Sequence, residues 1–301
     1  MSGQSETFSE TQHRWERVLW RRQAHPDNHI VPGFLSSLQQ NVNFRPYTYW
    51  ELVLLSGTIT QHIASVFVFV AIFLRLREED LDPYVLVWIS VGCFLIGYFL
   101  WELLDRIGAS RLQRHVNRVK TIKSSILIFL ALMSLSPVLR TLTAATSSDS
   151  IWALSAILFG ANALLADYSA MPENGVQAQE RLTSVLSINA AIAASVVLAS
   201  RLAADTAVFA LILFSVQTFA LFPRLRHRLG SRSALVRVAF TVLLLATSVV
   251  AAKPVMRMAI WVYASVQLAV TFLAPAVLVW AQKFKNEIRG PWDVAVPKVN
   301  K

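Results

Sequence analysis

His25, Asp27 and His29 occupy alternate positions in the stretch RRQAHPDNHIVPGF, and alternate side chains of an extended segment project to one face. Two imidazoles and a carboxylate on one face are metal-ligand chemistry. A structural zinc takes four ligands, however, and the chain's single cysteine, Cys93, lies far away in an apolar run with no further histidine close by. Pro26 fixes its own φ and biases its neighbour toward extended or turn geometry, while Asp27 or Asn28 can bond its own backbone. The HPDN segment therefore reads more simply as a turn, with no metal and no cofactor expected.

A second set, Glu78, Glu79, Asp80 and Asp82, falls between two apolar runs. Carboxylates so grouped could hold a divalent cation or act as a base, as a self-sufficient membrane glycosyltransferase would require of its first loop. A charged connector between helices is more often only solvated. His62, Asn162, Asn189 and Gln217 lie within apolar runs, where a polar group is a functional hypothesis by default. Aligned, the three amides would give a lipid transporter or scramblase a polar path. Singly, such groups bond a neighbouring helix, and that is the expectation for His62. No glycine-rich phosphate loop and no serine–histidine–carboxylate pattern stands out.

The elements that must position these residues are membrane helices. Of 301 residues, 55% are hydrophobic and only 15% charged, with a mean hydropathy of +0.49, whereas soluble domains carry roughly a quarter charged residues. The fold class expected is all-α, a polytopic integral membrane helical bundle. Apolar runs of spanning length predict about eight transmembrane helices, near residues 52–74, 84–104, 125–142, 151–166, 184–202, 206–222, 235–251 and 258–280. Residues 1–50 would form an N-terminal arm, 51–282 the multi-spanning domain and 283–301 a tail. Residues 1–20 are polar, so the first span is expected to direct insertion.

The net charge of +10 is placed as topology rather than as a nucleic-acid surface, because little soluble mass carries it. Basic residues gather in the arm, after the second span and after the sixth, whereas the first loop is more acidic than basic. The positive-inside rule then puts both termini in the cytosol. In the arm, Trp15, Val18 and Leu19 recur at helical spacing with Arg14, Arg17 and Arg21 opposite, the pattern of an amphipathic interfacial helix. In the fifth span, Ala190/Ala194 and Ala191/Ser195 repeat at a spacing of four, which lets helix backbones approach closely.

Several segments, in order, resemble the PIG-C family. They are WERVLWRRQAHPDN (Trp15–Asn28), SPVLRTLT (Ser136–Thr143), DSIWALS (Asp149–Ser155), DYSA (Asp167–Ala170), TSVLSINAAIAASVVLASRL (Thr183–Leu202), FALFP (Phe219–Pro223) and FKNEIRGPWD (Phe284–Asp293). The departures are the connector from Ser169 to Ser184 and the KPVMR loop. The resemblance implies a multi-pass protein of the endoplasmic reticulum membrane. It would be a non-catalytic subunit of the complex that transfers N-acetylglucosamine from UDP-GlcNAc to phosphatidylinositol, the first step of GPI-anchor synthesis. It implies PIG-A as catalytic partner, with PIG-H, PIG-P, PIG-Q and PIG-Y. The family role would be scaffolding and phosphatidylinositol presentation. Two terminal motifs become candidate docking segments for partners or lipid: Trp15, Arg21, Arg22, Pro26, Asp27 and Asn28 in the arm, and Gly290, Pro291, Trp292 and Asp293 in the tail.

Overall fold

The computed structural model describes residues 22, 39–40, 46–105, 111–143, 145–168, 182–230, 234–252, 257–285 and 288–289. The chain divides into two compact units. One comprises Met1–Pro46 with Trp280–Lys301, where Gln39–Gln40 pairs antiparallel with Ile288–Arg289, Gln39 opposite Arg289. Apart from that two-residue pairing, the described residues are helical or connecting.

The other unit, Tyr47–Val279, is a helical bundle. Its helices are α1 (Tyr49–Arg77), α2 (Pro83–Asp105), α3 (Arg111–Thr141), α4 (Ser148–Leu165) and α5 (Leu182–Ala199). Next comes α6, built of Asp205–Ser215, a π-helical segment Val216–Leu221 and Phe222–Gly230. Then follow α7 (Ala234–Ala252) and α8, built of Arg257–Leu268, a π-helical segment Ala269–Leu273 and Ala274–Ala281.

Among the described residues, seven helices are long and apolar enough to cross a membrane, and α5 is shorter, apolar over Val185–Ala199. Direction along the bundle bears on how α5 counts. Tyr49, at the start of α1, donates to the Phe272 carbonyl at 3.5 Å, and Phe67, further along, stacks on Tyr263 with ring centroids 4.0 Å apart. The last helix is thus antiparallel to the first, and a chain that returns to its starting side crosses an even number of times. The seven long helices and the shorter α5 together make such an even number. It lies antiparallel to α4, since Thr143 and Ser200 bond through their hydroxyls at one end while Asn162 bonds Ser187 toward the other.

Among the described residues, three prolines sit inside helices, and each removes a backbone donor. The Met133 carbonyl, four residues before Pro137, accepts from the Ser136 hydroxyl at 3.0 Å. The Thr271 carbonyl, four before Pro275, accepts from Ser56 of α1 at 3.4 Å. Both π-helical segments end two residues before a proline, Pro223 or Pro275, so local rewinding absorbs the lost bond.

The core lies between α1, α4, α5 and α6. More than half of the α1 span is buried (56%) against 6% of α3, so α1 is a central helix and α3 a peripheral one. Phe69 and Phe73 of α1, Ile151 and Phe159 of α4, and Val208, Leu211 and Phe219 of α6 form one cluster. Ala191, Ala194 and Ser195 of α5 are fully enclosed, and Ser215 of α6 donates to Ser195 Oγ at 2.7 Å. That contact brings the two backbones together at a face of small residues; Ala190 is only partly buried.

Candidate functional site

The acidic connector is occupied with ending one helix and starting the next. Glu79 has φ of 59°, the left-handed conformation that closes α1, and the Asp80 amide reaches back to the Arg75 carbonyl at 2.9 Å. The Asp80 carboxylate accepts from Arg75 Nε at 2.8 Å. Asp82 accepts from the Tyr84 amide at 2.9 Å, capping α2, with Pro83 at the first helical position, where its missing donor costs nothing. Among the described residues, no group of three or more His, Cys, Asp or Glu side chains could hold a metal ion.

The buried polar residues bond one another. Asn162 of α4 donates through Nδ2 to the backbone carbonyl and hydroxyl of Ser187 of α5, both at 2.9 Å, which turns Oδ1 toward His62 of α1. His62 Nε2 lies 2.8 Å from that oxygen and must therefore be the donor. The Ser187 hydroxyl closes the ring by donating to the Asn162 carbonyl at 2.8 Å. Three helices are tied at one point. Beyond the end of α4, the Tyr168 hydroxyl donates to the Ala163 carbonyl at 2.7 Å and its ring meets His62 edge-on. Burial pushes the Tyr168 phenol up to about 12, partly offset by the nearby Arg226 cation, so Tyr168 remains a donor throughout the physiological range.

These amides do not form a path. Asn162 is 2% exposed and fully engaged, Gln217 of α6 donates to the Ser90 carbonyl of α2 at 2.6 Å, and Asn189 points outward. Asn162 and Gln217 sit at separate helix contacts, and the transporter or scramblase reading loses the aligned polar face it needs. A second polar seam, invisible in hydropathy, joins α1 to α7 and α8. Gln61 donates to Thr241 Oγ1 at 2.8 Å, Thr60 and Thr271 share a hydroxyl contact at 2.9 Å, and Gln267 donates to the Thr60 carbonyl at 3.2 Å.

A groove of about 530 Å³ lies between α1, α2, α6 and α7, with α3 touching it at Thr121. Its inner end, near the middle of the spans, is lined by Val68, Phe214 and Leu244, and its outer end by Trp101, Thr121 and Arg224. Cys93, Leu221, Arg224 and Thr247 on its wall are exposed, so the groove opens outward along the bundle. The π-helical segment of α6 supplies Gln217, Thr218 and Leu221 to the wall, and the extra residue in that turn widens α6 there. At the outer end the Arg228 guanidinium lies 3.6 Å over the Trp101 ring. Sequence reading missed this groove because its residues come from five helices and are individually ordinary; Trp101 beside a basic helix end was the one visible signal.

Of the terminal docking candidates, Arg22 is exposed, and Trp15, Arg21, Pro26, Asp27, Asn28, Gly290, Pro291, Trp292 and Asp293 lie outside the described residues.

Fold and site define a multi-pass helical membrane protein, with its polar side chains spent on helix contacts and an apolar groove ending at cations. The family model described as phosphatidylinositol N-acetylglucosaminyltransferase matches residues 15–293. The chain is 38% identical over 286 residues to the "phosphatidylinositol N-acetylglucosaminyltransferase GPI2 subunit" of Schizosaccharomyces pombe, covering 95% of this chain and 87% of the relative. It is 34% identical over 282 residues to a protein of Homo sapiens that is named as a subunit of the same transferase, covering 94% and 92% respectively. A relative in Dictyostelium discoideum, whose name makes it a subunit of that transferase too, is 37% identical over 286 residues, 94% of this chain and 79% of the relative. No solved structure matches. The chain belongs to the GPI2, or PIG-C, family of phosphatidylinositol N-acetylglucosaminyltransferase subunits.

Proposed function

We propose that this protein is a non-catalytic membrane subunit of the complex that transfers N-acetylglucosamine from UDP-GlcNAc to phosphatidylinositol, the first step of GPI-anchor synthesis. The match of residues 15–293 to the transferase family, with relatives named as its subunit, carries the reading. The catalytic subunit would be PIG-A, with PIG-H, PIG-P, PIG-Q and PIG-Y completing the assembly in the endoplasmic reticulum membrane. Both termini would be cytosolic, on the side favoured by the basic clusters. The chain would act as scaffold and present phosphatidylinositol to the active site. The use of Asp80 and Asp82 at helix ends supports this over a self-sufficient glycosyltransferase.

The test isolates the tagged chain from gently solubilised membranes and assays transfer of labelled N-acetylglucosamine before and after the co-purifying subunits are stripped. Activity that co-purifies and vanishes on stripping is the expected result; activity retained by the stripped chain would make it the enzyme. In the intact complex, Glu78→Gln combined with Glu79→Gln is expected to change the transfer rate by less than about two-fold, against losses of a hundred-fold or more for a catalytic acid or base. A large loss with normal assembly would return the acidic loop to catalysis.

Arg21 and Arg22 would attract the anionic inositol lipid at about 1 kcal/mol per cation near the surface. Reversing both to glutamate is expected to lower activity in anionic vesicles about ten-fold or more and to matter far less in neutral ones. Equal activity of variant and wild type in anionic vesicles would remove that role.

A further inference from the structure

We propose that the groove between α2 and α6 seats one acyl chain of an anionic glycerophospholipid drawn from the bilayer, with the lipid phosphate at Arg224 and Arg228. The proposal rests on the reading above only for the identity of the lipid, phosphatidylinositol.

Three observations converge on that occupant. The groove's volume of about 530 Å³ is within the range of small-ligand sites. It is also elongated: from Cys93 to Trp101 its α2 wall runs eight residues, about 12 Å of helix axis. The inner end is apolar and lies at the level of Phe214 and Val68, where no aqueous ligand would go. The outer end changes character within one helical turn. Arg224 lines it, and Arg228, one turn further along α6, is held over Trp101 at 3.6 Å. Guanidinium groups pair readily with phosphate oxygens, and stacking on Trp101 fixes one of them beside the opening. A neutral sterol would match the apolar end alone, and a soluble anion the cations alone. A lipid with one buried chain and a phosphate uses both. The π-helical segment fits this function too, because it enlarges the wall where Thr218 faces the groove.

The decisive experiment reconstitutes the intact complex in nanodiscs with a phosphatidylinositol that carries a photoactivatable diazirine midway along one acyl chain, then maps the labelled peptides. Label is expected on residues 93–101 and 214–225. It should be suppressed by excess unlabelled phosphatidylinositol about five-fold or more better than by phosphatidylcholine, the discrimination that one interfacial cation can supply. Thr218→Phe, which fills the wall, should lower labelling several-fold, and Arg224→Gln with Arg228→Gln should abolish the preference over phosphatidylcholine. The wild-type map stands even if a variant fails to fold. Label spread evenly over the lipid-facing helices, equal competition by phosphatidylcholine, or cross-links showing a partner's helix in the groove would each overturn the proposal. Co-purification and transfer activity in the same samples separate the two readings. An assembled, active complex with an unlabelled groove overturns the lipid seat alone, whereas failure of the other subunits to co-purify overturns the subunit assignment.

Discussion

Phe69→Ala is expected to destabilise the solubilised chain by about 3 kcal/mol, the low end for truncating a fully enclosed phenylalanine, because the bilayer removes part of the water-transfer term and leaves the cavity. The reason is its place among other rings. Phe69 is wholly buried, with Phe219 at 5.3 Å, Phe159 at 5.8 Å and Phe214 at 6.2 Å between centroids. Those rings belong to α4 and α6, so the cavity would open at the junction of three helices with no side chain free to collapse into it. Trp88→Ala is the matched control. Trp88 is larger but 74% exposed on α2, where lipid or detergent replaces whatever is removed, and its loss should cost under about 0.5 kcal/mol. Thermal or denaturant unfolding in one detergent compares the two. Similar losses from both would mean that the aromatic cluster does not organise the bundle.

The contrast between Phe69 and Trp88 also marks what hydropathy can and cannot read. Both residues sit in apolar runs of spanning length, and the eight predicted helices appear in the predicted order. The runs end where charges begin, but helices do not. α3 starts at Arg111 rather than near residue 125, and α6 continues past residue 222 to Gly230, because arginine and lysine are good helix formers that halt a span without halting the helix. Inside the bundle, apolar composition hides which face meets protein and which meets lipid. The small residues of α5 were a legible packing signal because little else explains alanine and serine at a spacing of four. The Gln61–Thr241 and Thr60–Thr271 contacts were not legible, since a lone glutamine or threonine names no partner.

The candidate sites divide along the same line. Acidic residues clustered at Glu78–Asp82 are of types that chemistry could use, and in the structure the left-handed Glu79, the Arg75–Asp80 pair and the Asp82 cap serve the ends of α1 and α2. The groove, by contrast, is carried by residues whose only unusual property is where they meet. Phenylalanine, threonine and glycine at scattered positions of five helices acquire meaning together with Trp101 and the arginines after Phe222. Such a groove is a signature in shape and in the location of charge, which no fixed motif along the chain spells out.

Breaking the His62–Asn162–Ser187 ring should show that its energy is cooperative. Asn162→Leu leaves the His62 donor facing an alkyl group and strips Ser187 of a donor to its carbonyl, so a loss of about 2 kcal/mol is expected, within the range for orphaned buried polar groups. His62→Leu alone orphans only Asn162 Oδ1 and should cost less, about 1 kcal/mol. With both replaced, the unmet His62–Asn162 pair disappears from the interior altogether, and the double variant should be more stable than the sum of the single losses by about 1 kcal/mol. Unfolding midpoints of the four proteins in one detergent close the cycle. Strict additivity would mean that His62 and Asn162 are satisfied independently, by water or lipid headgroups, and that the hydrogen bond does not lock α1 to α4. A coupling of the expected size would identify this ring, together with the Phe69 cluster, as what holds α1, α4 and α5 in register behind the wall that the groove requires.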